Sequence, residues 1–543
     1  MSDPRHEFQR LQSRIVPVFV AVLLSCTVAR ADATPQKRIE VSWQGSFYME
    51  GGREGSWIQR QIEERFGLRL RCGFFPAFSY DKQLMFSLMG GEGADVFWVR
   101  DVKEAAKAAE HGFALELPWE TIAYHAPALL RQINRHAPEA WLLSYWHGKN
   151  FGIPNFNLTY SRYPSPGVRN ETWLRRVGFD HTPDTLEEME EALRRFRERD
   201  PDGNGRRDTY GMCHRYFEEI FGAFGVIPTQ WTLHEGLLAW GATLPGSRRA
   251  LALLRRWYAE GLILPDFQAL PPGNNEIRKY LFNGQVGYVA FWRMGDHYNF
   301  NPDYPVSFVH LHKGVHPDED LTPGKFPLGP DGHRGGLAWP GTLGGITMFN
   351  ARLRDRPEVV ARVLKMFDTL ARDQDLAVEL RIGRRGLHWE WDRAHGFRKL
   401  PPYADKAASG RELLGEQLLD VGTNFAYFVP FSADESIVAR YLTPAVRTHL
   451  AAFQRIEWGR TDVLVQAEVV PSSAKFFPDL RRMQETIFNE IIIGKRPLEA
   501  FDVFVTEWRA RGGDVLTREA NEMLATKQAL LARLAALAAS SPP

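Results

Sequence analysis

RIEVSW (residues 38–43), WIQRQIEERFGL (57–68), LRLRCGFF (68–75) and LMFSLMGGEGADVFWV (84–99) decide the fold class. The first segment reads as an apolar strand. In the second, Ile58, Ile62 and Phe66 recur at helical spacing and Gly67 stops the helix. The third is again a strand, and the fourth is a helix, a Gly-rich turn and another strand. Strand, helix, strand, helix, strand is an α/β beginning.

Farther along, helices are expected at 184–199, 247–260, 357–372 and 477–493, with apolar strands such as VGYVAFW (286–292) and GGITMF (344–349) between them. The helix before residue 200 is well specified. Thr182 and Pro183 supply a cap and a first position, and Thr185 with Glu188 can form a capping box. Leu186, Met189, Leu193 and Phe196 make one buried stripe, whereas Glu190 with Arg194 and Glu191 with Arg195 are i,i+4 pairs on the wet face. No repeat or low-complexity segment is visible. Pro/Gly-rich stretches near Pro271, from Pro323 to Gly332 and near Pro401 read as surface loops.

The chain has 543 residues with 67 Lys+Arg against 66 Asp+Glu. Such balance argues against a nucleic-acid partner, whose binding normally rests on a basic surface. An apolar content of 44% argues against disorder. The length calls for two or three packing units. Arg5, Arg10 and Arg14 precede an apolar run from Ile15 to Leu24, the layout of a secretory signal. That run is shorter than the about 20 residues of a spanning helix. Two processing sites compete. Ala31-Asp32-Ala33 gives a signal peptide of residues 1–33, and Leu23-Leu24-Ser25-Cys26 gives one of 1–25 with a lipidated Cys26. An exported protein is expected, periplasmic or anchored at the membrane surface. Removing 1–33 takes four Arg and three acids and leaves the two signs equal. Only Cys72 and Cys213 then remain, as one bridge or two buried thiols.

Asp200-Pro-Asp-Gly-Asn-Gly-Arg-Arg-Asp208 is the most chemically specific stretch. Asp200, Asp202 and Asn204 place oxygens on alternate residues, Gly203 and Gly205 allow the curl, Arg206 offers its carbonyl and Asp208 closes the loop. Hard oxygens on a curling backbone suit Ca²⁺. Position 12 is Gly211, so the loop is not a full EF-hand, and a polar turn is the alternative.

Enzyme signatures are missing: no HExxH, GxSxG, GxxxxGK[ST] or CxxC occurs. Paired acids such as Glu187/Glu188 and Glu218/Glu219 read as solvated helix faces rather than a glycosidase pair. The 16 Trp are more informative. Trp43 with Phe47 and Tyr48 follows the first strand, Trp98 with Asp101 the third, and Trp292 with Arg293 follows VGYVAF. Trp339 lies in RGGLAWPG, and Trp389 and Trp391 lie in GRRGLHWEW. Ligands of open α/β sheets bind outside the carboxyl ends of strands, where aromatic faces suit sugar rings. Packing in a core is the alternative for each.

GADVFWV (93–99), WHGKNFGIPNFN (146–157), ETWLRRVGFDHTPDTLEEMEEALRRFRERDPDGNGRRDTYGM (171–212) and IIIGKRPLEAFDVFVTEWRARGGDVLTREANE (491–522) occur in that order. Together they resemble the extracellular solute-binding proteins of bacterial ABC importers, in the long oligosaccharide-binding branch that includes alginate-binding proteins. The resemblance implies an α/β, two-lobed type II periplasmic-binding fold with a hinge and an interlobe ligand cleft. It implies one lobe of residues 34–155 and 290–350, a second of 156–289 and 351–525, and a C-terminal tail, 526–543. It implies structural Ca²⁺ at Asp200, Asp202, Asn204, Arg206 (carbonyl) and Asp208, weakened because Thr209 stands where the family commonly has Glu. Ligand contacts are expected at Trp43, Tyr48, Trp98, Asp101, Asn155, Asn157, Trp292, Arg293, Trp339, Arg385 and Trp389. Arg385 replaces a Glu of the family and suggests an acidic oligosaccharide, a uronate or a sulfated sugar. Pairing of Arg385 with Glu390 is the alternative.

The resemblance thus implies a monomeric carbohydrate-binding subunit, not an enzyme, that delivers its ligand to permease subunits in the membrane. Two other readings stand beside it: an exported polysaccharide-active enzyme, and a ligand sensor using the same fold.

Overall fold

The computed structural model describes residues 38–47, 55–76, 79–100, 102–155, 167–270, 274–289, 308–337, 345–392, 396–402 and 459–541. The chain enters through β1 (Ile39–Phe47), α1 (Trp57–Phe66), β2 (Leu68–Pro76), α2 (Tyr80–Met89) and β3 (Val96–Val99), and later adds β4 (Gly152–Pro154). It then forms β5 (Val168–Asn170), α3 (Leu186–Glu198), β6 (Tyr210–Cys213), α4 (Glu218–Ala223), β7 (Val286–Val289) and β8 (Leu321–Pro323). β9 (Ile346–Phe349), α5 (Pro357–Arg372), α6 (Ser473–Ile492) and α7 (Asp514–Ser540) follow. Two sheets result, one per lobe: β2-β1-β3-β9-β4 and β8-β5-β7-β6.

In lobe one, β1 runs parallel to β2 and β3, and β9 antiparallel to β3 and β4. Local chemistry explains the alternation expected from the sequence. Ser56 caps α1 by accepting from Gln59 N at 3.1 Å. Gly67 takes φ 64° and ends that helix, and Ile58 and Ile62 are buried. In lobe two, β6 is parallel to β7 and β5 antiparallel to it.

The capping box of α3 is formed: Thr185 Oγ1 accepts from Glu188 N at 3.1 Å and Glu188 Oε2 accepts from Thr185 N at 3.2 Å. The helix therefore starts at Leu186 with Thr185 as cap, and not at Asp184 with Thr182, because Asp184 turns to pair with Arg334 at 2.7 Å. Glu190 does more than expected of a wet face. It binds Arg194, Arg256 and the Trp257 indole N–H, tying α3 to the helix Pro245–Ala259.

The lobe boundaries need correction in three places. Helix α5 covers the lobe-one sheet: Phe367 packs edge-on to Trp43, Arg362 donates to Phe66 O at 2.9 Å, and Asp368 accepts from Ala128 N. Residues from 351 through this helix thus belong to lobe one. Conversely, Leu321–Pro323 pairs with β5 and belongs to lobe two. Residues 526–540 are no tail but the last turns of α7, which runs between the lobes. Its first half is held by Asn521, exchanging two hydrogen bonds with the Leu238 backbone at 2.8 and 3.0 Å. Its second half buries Leu530 and Leu534 and reaches lobe one through Asn134 Nδ2, which donates to Leu534 O at 2.9 Å. Gly512, just before it, has φ 117°, and a Cβ there would lie 2.3 Å from the Phe476 ring.

Cys72 and Cys213 sit in β2 and β6, in different lobes, and are not bridged. No helix among the described residues is long and apolar enough to cross a membrane. The expected signal segment lies outside the described residues.

Candidate functional site

Each sheet turns one end toward the connections between the lobes. In lobe one Phe47, Pro76 and Val99 end β1, β2 and β3, with Ile346 and Pro154 paired beside Val99. In lobe two Val168, Val289 and Cys213 stand in register at one end of β5, β7 and β6. The chain passes from Pro154 to Val168, and from Leu337 to Ile346, so both passages join these two ends. They are the carboxyl ends of the parallel strands, the place where sheets of this class take ligands.

Several expected contact residues are corrected by burial. Trp43 is 2% exposed and points into the helical layer, against Phe367. Trp389 is equally buried and its indole N–H donates to Gly383 O at 2.7 Å. Trp98 is enclosed between Tyr80, with ring centroids 5.5 Å apart, and Gly345, where a Cβ would approach its Nε1 to 2.5 Å. None presents an open face to a sugar ring. Asn155 is buried as well, its Oδ1 accepting from Thr347 Oγ1 at 2.9 Å. Arg385 is exposed, and its Nε lies 3.5 Å from Glu390, with a bond to Trp391 O at 3.3 Å. Pairing with Glu390 is therefore what the structure shows for it. Tyr48, Asp101, Asn157, Trp292, Arg293 and Trp339 lie outside the described residues. Most described Trp are core: Trp141, Trp173, Trp231, Trp240, Trp257 and Trp508 are fully enclosed.

The lobe-two end carries a polar cluster that the sequence reading placed on a solvated face. Glu218 and Glu219 are 6% and 3% exposed, and His214, one residue beyond β6, is 2%. Phe217 N donates to His214 Nδ1 at 2.7 Å. Phe217 itself takes φ 52°, ψ 35°, a left-handed conformation that costs a bulky residue on the order of 1–3 kcal/mol. Its ring is pinned edge-on against Phe267. Burial pushes the Glu218 carboxyl up to about 8, helped by Glu219, and pushes Glu219 up to about 7. Burial pulls His214 down to about 3. The cluster is neutral where an ion pair would be drawn. The Tyr288 hydroxyl and the Arg169 guanidinium face Glu219. Glu218 Oε2 and Glu219 Oε1 have no hydrogen-bond partner among the described residues.

His214, Glu218 and Glu219 bring ligand atoms within 4.8 Å of one another. The Phe217 bond argues against a three-ligand metal site. An imidazole whose Nδ1 lone pair is taken by a backbone N–H carries its proton on Nε2 and cannot also offer Nε2 to a cation. A signal for this burial was present in the sequence: Phe217, Ile220, Phe221 and Ala223 surround the acids, and a helix apolar all round is a buried one.

The loop after α3 curls as expected. Asp200 accepts from Asn204 N at 3.1 Å and Gly205 N at 2.9 Å. The Asn204 amide donates to Asp202 at 2.6 Å and Asp208 at 3.1 Å, occupying the centre of the acids. Asp202 Oδ1 is buried with no partner among the described residues, and burial beside Asp200 pushes its carboxyl up to about 6. An orphaned carboxylate oxygen among converging acids fits a hard cation. Thr209 does not take part: it is buried and donates to Phe196 O at 2.6 Å.

No protein-family model matches the chain. The solved structure of the alginate-binding protein AlgQ2, "without calcium ion", covers 90% of this chain and 98% of its own, with a TM-score of 0.64 at 14% identity. A solute-binding protein of Bifidobacterium longum infantis described as HMO-binding gives 0.66 at 15% identity, over 90% of this chain and 98% of its own. The chain is an extracellular solute-binding protein by fold. Among curated sequences, this solute-binding protein is 23% identical over 521 residues to the polygalacturonan/rhamnogalacturonan-binding protein YtcQ of Bacillus subtilis, covering 92% of this chain and 94% of YtcQ. It is also 36% identical over 227 residues to lipoprotein LipO of Bacillus subtilis, covering 39% of this chain and 42% of LipO. These relatives are binding proteins and a lipoprotein, not enzymes.

Proposed function

We propose that the protein is the substrate-binding component of an ABC importer, capturing an oligosaccharide between its lobes and delivering it to a membrane permease. The carrying observation is geometric. Two sheets point their carboxyl ends at each other across two chain passages, Pro154 to Val168 and Leu337 to Ile346. The likeness to YtcQ along 92% of the chain supports a carbohydrate ligand, and its stated ligands favour one bearing uronates. Tyr48, Asp101, Asn157, Trp292, Arg293 and Trp339 are proposed as contacts, and Asn155 as the residue that shapes the passage between lobes. Arg385, half committed to Glu390, is proposed at most as a rim charge.

The protein is proposed to be exported and held at or near the membrane surface, with Cys26 as one anchor. The loop at Asp200, Asp202, Asn204, Arg206 and Asp208 is proposed to hold Ca²⁺ as a structural ion. When bound, the ion would supply charge neutralisation to three carboxylates. The protein is proposed to be a monomer that catalyses nothing.

Titration calorimetry against galacturonate, alginate, sulfated and neutral oligosaccharides tests the reading, with reducing ends measured in parallel. Saturable binding of an oligosaccharide without new reducing ends is the expected result. Binding of none, or release of new ends, would overturn it.

A further inference from the structure

Glu218 and Glu219 stand at the end of the lobe-two sheet from which the chain passes to lobe one. β6 delivers them at Cys213, and Val168 and Val289 are in register beside it. α4 packs under Gly336–Leu337, so closely that a Cβ on Gly222 would meet Gly335 O. Both passages between the lobes therefore start or finish next to these two acids.

Three independent features single them out. Both carboxyls are more than nine-tenths buried, yet Glu218 Oε2 and Glu219 Oε1 are unpartnered among the described residues. Leaving such atoms unmade is costly, so their retention calls for an occasional partner. The residue before them, Phe217, is held in a left-handed conformation by the His214 bond, and strain of that kind concentrates at ligand clamps. The remaining atoms of the pair are braced from every neighbouring element: His214 Nε2 from the end of β6 at 3.1 Å, the Tyr288 hydroxyl from β7, and Arg169 from β5. Arg169 is in turn fixed by Lys325 O at 2.9 Å and lies over the Tyr288 ring at 5.2 Å.

We propose that Glu218 and Glu219 are ligand contacts of lobe two, whose two unpartnered oxygens receive hydroxyl groups of a sugar ring when the lobes close on it. This rests on the oligosaccharide reading above and adds to it the residues that read the ring's hydroxyls. An open protein then holds the pair protonated, because burial favours the neutral acids. Hydroxyl donors favour the ionised form, so ligand binding near neutral pH releases protons to solvent.

The test is calorimetry of the full chain with whichever oligosaccharide the panel identifies, in two buffers of different ionisation enthalpy, comparing Glu218→Met, Glu219→Met, Glu218→Gln and Glu219→Gln. Expected are a loss of affinity of tenfold or more in the Met variants, and a buffer-dependent enthalpy in the wild type that the Gln variants lose. Should a Met variant fail to fold, the matching Gln variant decides through that enthalpy. If the wild type binds and all folded variants bind within twofold with the same buffer dependence, the pair is structural and the proposal falls alone. If the wild type binds no oligosaccharide, the functional reading falls and the proposal with it.

Discussion

Phe217 donates its backbone N–H to Nδ1 of His214 at 2.7 Å, and this one bond sets both the tautomer of a buried histidine and the left-handed start of α4. It links the last residues of a strand to the pair of acids that follow, and it decides that the cluster holds protons rather than a metal ion.

Stability should fall as pH rises from 6 to 9. Glu218, Glu219 and Asp462 are held in the fold at about 8, 7 and 7 by burial, above their unfolded values. Their contribution is complete below the unfolded range and is lost as pH climbs through those raised values. His214 works in the opposite sense, its contribution being lost as pH falls from its unfolded value toward about 3. Thermal melting across pH should show an alkaline decline of several degrees. Glu218→Gln, neutral at every pH, should flatten it; an unchanged slope would contradict the assignment.

Calcium should raise the melting temperature, and more strongly at pH 7 than at pH 5. A cation needs ionised ligands, and Asp202 is held up to about 6 beside Asp200. Asp208→Asn should shrink the shift. Melts with excess Ca²⁺ against chelator measure it.

Thr185→Ala should cost about 1 kcal/mol in urea denaturation, because it removes the hydroxyl that caps Glu188 N. Thr182→Ala should be nearly silent, since the helix does not begin there.

At the far end of α7 the apolar contact should outweigh the ionic one. Leu534 is 1% exposed, so Leu534→Ala should cost roughly 2–5 kcal/mol. Arg533 and Glu120, 2.6 Å apart, are both more than half exposed, and Arg533→Ala should cost less than about 1 kcal/mol. Denaturation of the two variants side by side checks the ranking.

Local order was legible in the residues themselves. Ile58, Ile62 and Gly67 announced α1, Thr185 and Glu188 its counterpart α3, and the alternation of strands and helices the class of the fold. These features depend on neighbours a few positions away, through helical periodicity and caps that close within one turn. What lay beyond reach depended on partners far along the chain. Trp43 is core because Phe367 comes to lie over it, and Glu218 and Glu219 are buried because Gly335 and Tyr288 pack around them. Helix α5 belongs to lobe one for the same reason, through Arg362 on Phe66 and Asp368 on Ala128. Whether an aromatic or an acid meets solvent, ligand or core is settled by burial, and burial is a property of the assembled lobes, not of spacing along the sequence.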